Sequence, residues 1–139
     1  MTNIKEIIKS DREKIFTQLS ELVKFNSVHT FAELKDQMDG AKCWVSKALT
    51  EAGLEVEEHV TEDGSVTLLG QRAGKEGAKT VLLYSHYDVV PAGDEAKWDS
   101  DPFTLTERNG RWYARGAADC KGNVVMHLAA LRALEQTGD

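Results

Sequence analysis

Proline and cysteine are both scarce in this chain, two of each in 139 residues. Cys43 and Cys120 do not make a disulfide framework, so a reducing, cytoplasmic setting is expected. Positive charge is also in short supply: 17 Lys and Arg stand against 23 Asp and Glu, a net charge of −6. That sign speaks against nucleic acid or an anionic membrane surface as the main partner. No apolar run approaches the roughly 20 residues that cross a bilayer. The opening Met1-Thr2-Asn3-Ile4-Lys5-Glu6 carries no apolar signal core. Repeats and low-complexity tracts are lacking too. What is left is an ordinary globular composition, 41% hydrophobic and 29% charged. It is enough for one domain that hides roughly two-thirds of its unfolded surface.

Ile4, Ile7, Ile8, Ile15, Leu19, Leu22 and Val23 share one helical face, which predicts an amphipathic helix broken near Asn26-Ser27. Ala41, Trp44, Val45, Ala48, Leu49 and Ala52 keep three-four spacing and predict a second helix, stopped by Gly53. Cys43 lies one step off that stripe and reads as structural. Leu54 to Glu57 alternates, Glu62-Asp63-Gly64 turns, and Ser65 to Gly70 returns, so a hairpin is expected there. His59 falls on its polar positions and reads as a surface histidine. A second hairpin is expected around the Asn109-Gly110 turn, between Phe103–Glu107 and Arg111–Ala114. From about Asn123 to Glu135 a helix apolar on most sides is expected to be buried against a sheet.

Between the hairpins runs Val81-Leu82-Leu83-Tyr84-Ser85-His86-Tyr87-Asp88-Val89-Val90-Pro91. Its apolar start predicts a buried central strand, with His86 and Asp88 at the strand end, where sheet enzymes place reactive groups. The whole order predicts an α/β sandwich, a mixed β-sheet flanked by helices.

Residues two apart on an extended segment point to one side, so His86 and Asp88 can act together. In that pairing the carboxylate fixes the tautomer of a metal-bound imidazole. Asp119, in the Gly-rich turn before the last helix, is a second carboxylate. Beside His86 it would complete a donor pair for a divalent metal, and a carboxylate can bridge two ions. The plainer alternatives stay open on the residues alone: a hydrogen-bonded turn at His86-Tyr87-Asp88, and a helix cap at Asp119. Cys120 beside Lys121 lacks a general base at a recognisable position. Gly116 to Gly122 resembles a phosphate loop only superficially, because no Ser or Thr follows Lys121-Gly122. His127 in the apolar helix reads as packed rather than ligating.

Three blocks in order carry a resemblance: Ser85 to Pro91, then Trp98 with Asp101-Pro102-Phe103, then Asn109 to Gly122. Together they are similar to the co-catalytic zinc metallopeptidase family of dipeptidases, aminoacylases, glutamate carboxypeptidases, acetylornithine deacetylases and succinyl-diaminopimelate desuccinylases. The Trp98 to Phe103 segment looks most like the dipeptidase branch. The resemblance implies that His86 ligates one zinc ion, that Asp119 bridges two, and that Asp88 is the catalytic-site carboxylate orienting His86. Co2+ or Mn2+ are the other divalent ions it allows. It also implies a cis peptide at Asp119-Cys120. Where family members often carry Gly and Asp or Met, this chain has Ser85 and Cys120.

The activity implied is cleavage of a dipeptide amide bond by attack of zinc-bound hydroxide; an N-acyl amino acid deacylase is the alternative within the family. The family's Glu-Glu pair, later ligands and lid domain have no counterpart in residues 1–139. The chain is therefore expected to be the N-terminal portion of a catalytic domain, truncated and inactive alone, from a protein that is a homodimer at full length. The alternative outside enzymology is a non-catalytic fragment that self-associates through bare sheet edges.

Overall fold

The computed structural model describes residues 3–137. The N-terminal stripe forms two helices rather than one, α1 over Ile4–Ser10 and α2 over Arg12–Val23, with Asp11 between them. Asp11 separates them at φ −85°, ψ 2°, and its carboxylate caps neither helix. It accepts from Arg132 Nε at 3.0 Å and Nη2 at 2.6 Å, a fork that ties the junction to the last helix. Residues 24–31 run irregularly to a 3-10 turn at Ala32–Leu34, and α3 follows over Lys35–Glu51. Gly53, at φ +78°, ends that helix in the left-handed conformation open to glycine.

The first expected hairpin is present as β1, Glu55–Val60, antiparallel to β2, Val66–Gln71. Its turn is organised by Asp63, whose Oδ1 accepts from Thr61 Oγ1 at 2.6 Å, Ser65 Oγ at 2.7 Å and the Ser65 amide at 3.0 Å. These donors hold the Asp63 carboxyl well below the usual carboxylate range. The second hairpin is β3, Thr106–Arg108, with β4, Arg111–Tyr113. Asn109 at φ 52° and Gly110 at φ 74° give the paired left-handed residues that a tight hairpin requires.

The last helix, α4, runs Lys121–Thr137 and is longer than its pattern suggested. It buries Val124, Val125, Leu128, Ala129 and Ala133, while Met126 and Leu134 face solvent, so one side is covered rather than most. Leu19, Leu22 and Val23 of α2, Ala41, Val45 and Ala48 of α3, and Val124, Val125 and Leu128 of α4 make one core with Leu105. Phe16 meets Trp112 edge-on at 5.2 Å, which seats the second hairpin on α2. Among the described residues no helix is long and apolar enough to cross a membrane.

The class is α/β, as the sequence predicts, but the sheet is not the mixed one expected. The strands form two separate antiparallel pairs. The expected central strand is an extended segment without ladder partners among the described residues, and it is not buried: Val81, Leu82 and Tyr84 are 76%, 84% and 78% exposed. Apolar, β-branched residues favour a strand only when a neighbouring strand accepts their backbone groups. Among the described residues none lies alongside. Cys43 likewise proves exposed on α3. His59 is at the surface, 3.3 Å from Glu57.

Candidate metal centre

Two loops build the site. The first continues the extended run, bringing His86 and Asp88 to one side. His86 Nδ1 lies 2.9 Å from Asp88 Oδ1 and 3.2 Å from the Asp88 carbonyl. The second is the turn at 114–120, which leads into α4. It presents Asp119, with 89% of its side chain exposed, so that Oδ1 lies 3.0 Å from His86 Nε2. Asp119 thus turns toward His86. The Asp119-Cys120 bond is cis.

Tight glycine packing brings the second loop in. A Cβ on Gly116, at φ +83°, would lie 2.9 Å from Val89 Cγ1 and 3.1 Å from Lys121 Cδ. One on Gly122 would lie 2.0 Å from the Ala117 carbonyl oxygen. The glycines of this motif serve the close approach of the two loops.

An imidazole nitrogen and a carboxylate oxygen 3.0 Å apart sit near the separation of two donors on one ion. With bonds of about 2.0–2.1 Å in tetrahedral geometry that separation is roughly 3.3 Å. Cys120, 8% exposed, brings its sulfur into the same group, the three donor atoms all within 4.8 Å of one another. These donors suit a borderline-soft divalent cation such as zinc. Asp88 leaves Nε2 as the nitrogen free to bind by engaging Nδ1.

Two buried polar residues back this site, and sequence reasoning passed over both. Ser27 and Lys121 are each fully inaccessible. Lys121 Nζ donates to the Phe25 carbonyl at 2.6 Å. Burial pushes its ammonium down to about 7, with the charge of Asp88 opposing the shift. Nothing in a sequence pattern marks a lysine in a Gly-rich turn as buried, and Ser27 reads only as a helix breaker. His127 is half-buried on α4. Trp98 Nε1 donates to the Ala92 carbonyl at 3.1 Å and its ring lies under Arg115, which orders the loop between the two motifs.

An imidazole and two carboxylates thus converge at the loops of an α/β scaffold. Comparison with known proteins narrows the class. Residues 82–139 match the family described as Peptidase family M20/M25/M40. The cysteinylglycine-S-conjugate dipeptidase of Corynebacterium striatum is 52% identical over 128 residues, 92% of this chain and 28% of that protein. The Cys-Gly metallodipeptidase dug1 of Schizosaccharomyces pombe is 34% identical, covering 96% of this chain and 30% of the relative. Among solved structures, human carnosine dipeptidase 1 superposes with a TM-score of 0.85 at 24% identity, over all of this chain and 32% of the other. The di-peptidase Dug1p of Saccharomyces cerevisiae gives 0.82, also at 24% identity, over 98% of this chain and 31% of that one. The match to the M20/M25/M40 model is confined to residues 82–139, while the two dipeptidases are similar to this chain along nearly its whole length. The chain spans about 30% of the length of these relatives.

Proposed function

We propose that this chain is the N-terminal part of the catalytic domain of a divalent-metal dipeptidase, with His86 and Asp119 as metal ligands and Asp88 as the residue orienting His86. The observation that supports this best is the 3.0 Å approach of His86 Nε2 to Asp119 Oδ1 at the junction of two loops. Zinc is the preferred ion for the donor set. Bound there, it would polarise the scissile carbonyl and acidify a water.

The chain's own residues do the rest. Asp88 engages His86 at Nδ1, which leaves Nε2, facing Asp119, as the nitrogen to hold the ion. Asp119, 89% exposed at its side chain, has room to bridge a second ion. A dipeptide carbonyl would approach from the same open side. Zinc catalysis ordinarily takes three protein ligands. With one imidazole and one bridging carboxylate, these 139 residues by themselves are expected to bind metal weakly and hydrolyse little. The whole protein is proposed to be a cytoplasmic homodimer acting on small peptides.

A deacylase reading draws on succinyl-diaminopimelate desuccinylase of Bordetella avium, 47% identical over 68 residues. That match covers 49% of the chain, against 92% for the Corynebacterium dipeptidase, and so favours the dipeptidase. Titration calorimetry with Zn2+ tests the centre: the chain is expected to bind, and His86→Ala to abolish the heat. Equal binding by His86→Ala would remove the assignment. Rates of the full-length protein on Cys-Gly against N-succinyl and N-acetyl amino acids separate the two activities.

A further inference from the structure

We propose, resting on the metal centre at His86 and Asp119, that Ser27 and Lys121 are positioning residues. They clamp the two ligand loops to one segment, residues 25–28, buried at Ser27 and Val28, so that the donors stand in register before any ion arrives.

Ser27 holds Asp88 by both of its peptide links. Its Oγ donates to the Tyr87 carbonyl at 2.7 Å, and its carbonyl accepts from the Val89 amide at 2.9 Å. With both links fixed, Asp88 has little freedom except to face His86. Two residues earlier in the same segment, the Phe25 carbonyl accepts from Lys121 Nζ at 2.6 Å. Lys121 lies two positions beyond Asp119, so this bond anchors the second loop. The loops then touch at Gly116, which is pressed between Val89 and Lys121 with no room for a methyl group.

The cost of this arrangement identifies its purpose. A fully buried ammonium and a fully buried hydroxyl each lose hydration, and an apolar side chain of matching shape would pack there without that penalty. What the polar groups supply instead is direction. Ser27 bonds to backbone atoms of the loop that carries His86 and Asp88, and Lys121, next to the loop that carries Asp119, bonds to the Phe25 carbonyl, so neither bonds to a donor atom itself. They act through His86, Asp88 and Asp119.

The test uses the full chain with Ser27→Ala, Lys121→Met and, as a stability control, Val125→Ala, a buried apolar residue of α4 that has no polar group to bond either loop. Two readouts are taken. In the metal-free chain the His86 ring Cε1–Hε1 resonance is expected to be single and displaced from that of exposed His59. Ser27→Ala and Lys121→Met should move it toward the His59 position, and Val125→Ala should not. On titration with Co2+, the first two variants should bind about tenfold or more weakly, as when outer partners of ligands are removed. Val125→Ala should bind like the parent. A clamp variant that keeps both the parent resonance and the parent affinity removes that residue from the proposal. A shift of equal size in Val125→Ala overturns it altogether. If Lys121→Met does not fold, Ser27→Ala decides alone. If the parent binds no Co2+, the metal centre fails, and the metal-free resonance still settles the clamp.

Discussion

His86 Nε2 and Asp119 Oδ1 lie 3.0 Å apart across 33 positions of sequence. A second carboxylate, Asp88, faces the other ring nitrogen at 2.9 Å. The two contacts differ in exposure and so in what they can do. Asp119 is open to solvent, whereas Asp88 is pinned through its backbone.

Replacing Asp88 by asparagine keeps the shape and removes the charge that steadies the Nδ1 proton. Metal affinity is expected to fall about 10–100-fold. Titration calorimetry checks this, and an unchanged affinity would remove Asp88 from the site.

The Asp11–Arg132 fork joins residues far apart in sequence and is mostly shielded, at 18% and 15% side-chain exposure. Arg132→Met is expected to cost about 2 kcal/mol, the range for a lost charged hydrogen-bond pair. The melting temperature should drop roughly 6–10 °C. A double variant with Asp11→Ala should cost less than the two single changes added together.

Asp63 gives a pH dependence of definite sign. Its folded pKa lies below the ordinary 3.8 because Thr61 and Ser65 donate to its carboxylate. The unfolded chain then takes up the proton first, so the stabilisation is present above about pH 4 and fades as pH falls below it. Asp63→Asn should flatten this acid limb in urea melts taken from pH 6 to pH 3. A limb of unchanged slope would sink the assignment.

Gly116→Ala forces a side chain onto a left-handed backbone and against Val89 and Lys121. The expected loss is at least about 2 kcal/mol from strain and overpacking together. Gly122→Ala should be worse, since the Ala117 carbonyl oxygen lies only 2.0 Å from where its Cβ would sit. Circular dichroism melts rank the two, and the reverse order would contradict the packing described.

Local chemistry explains why some of this was legible in the sequence. Asn109-Gly110 announces its hairpin because few residues tolerate two positive φ angles in a row. The helix around Ala41 to Ala52 shows because its stripe is regular and Gly53 closes it. The junction at Asp11 did not show, since its carboxylate pairs with Arg132, a partner 121 positions away. The run at Val81 misled for a related reason: an apolar segment declares a liking for sheet but not the presence of a neighbour. The pairing of His86 with Asp88 came from extended geometry. Ser27 and Lys121 stayed hidden because burial of polar groups is decided by packing, not by composition.

The ribbon at Val81, Leu82 and Tyr84, without ladder partners among the described residues, also bears on how the molecule behaves in a tube. An exposed apolar ribbon favours association, and the net charge of −6 opposes it by mutual repulsion. That repulsion reaches about 8 Å at physiological salt and about 3 Å at 1 M. Colloidal stability of this chain is therefore greatest in dilute buffer, and salting the solution brings the ribbons within reach of one another.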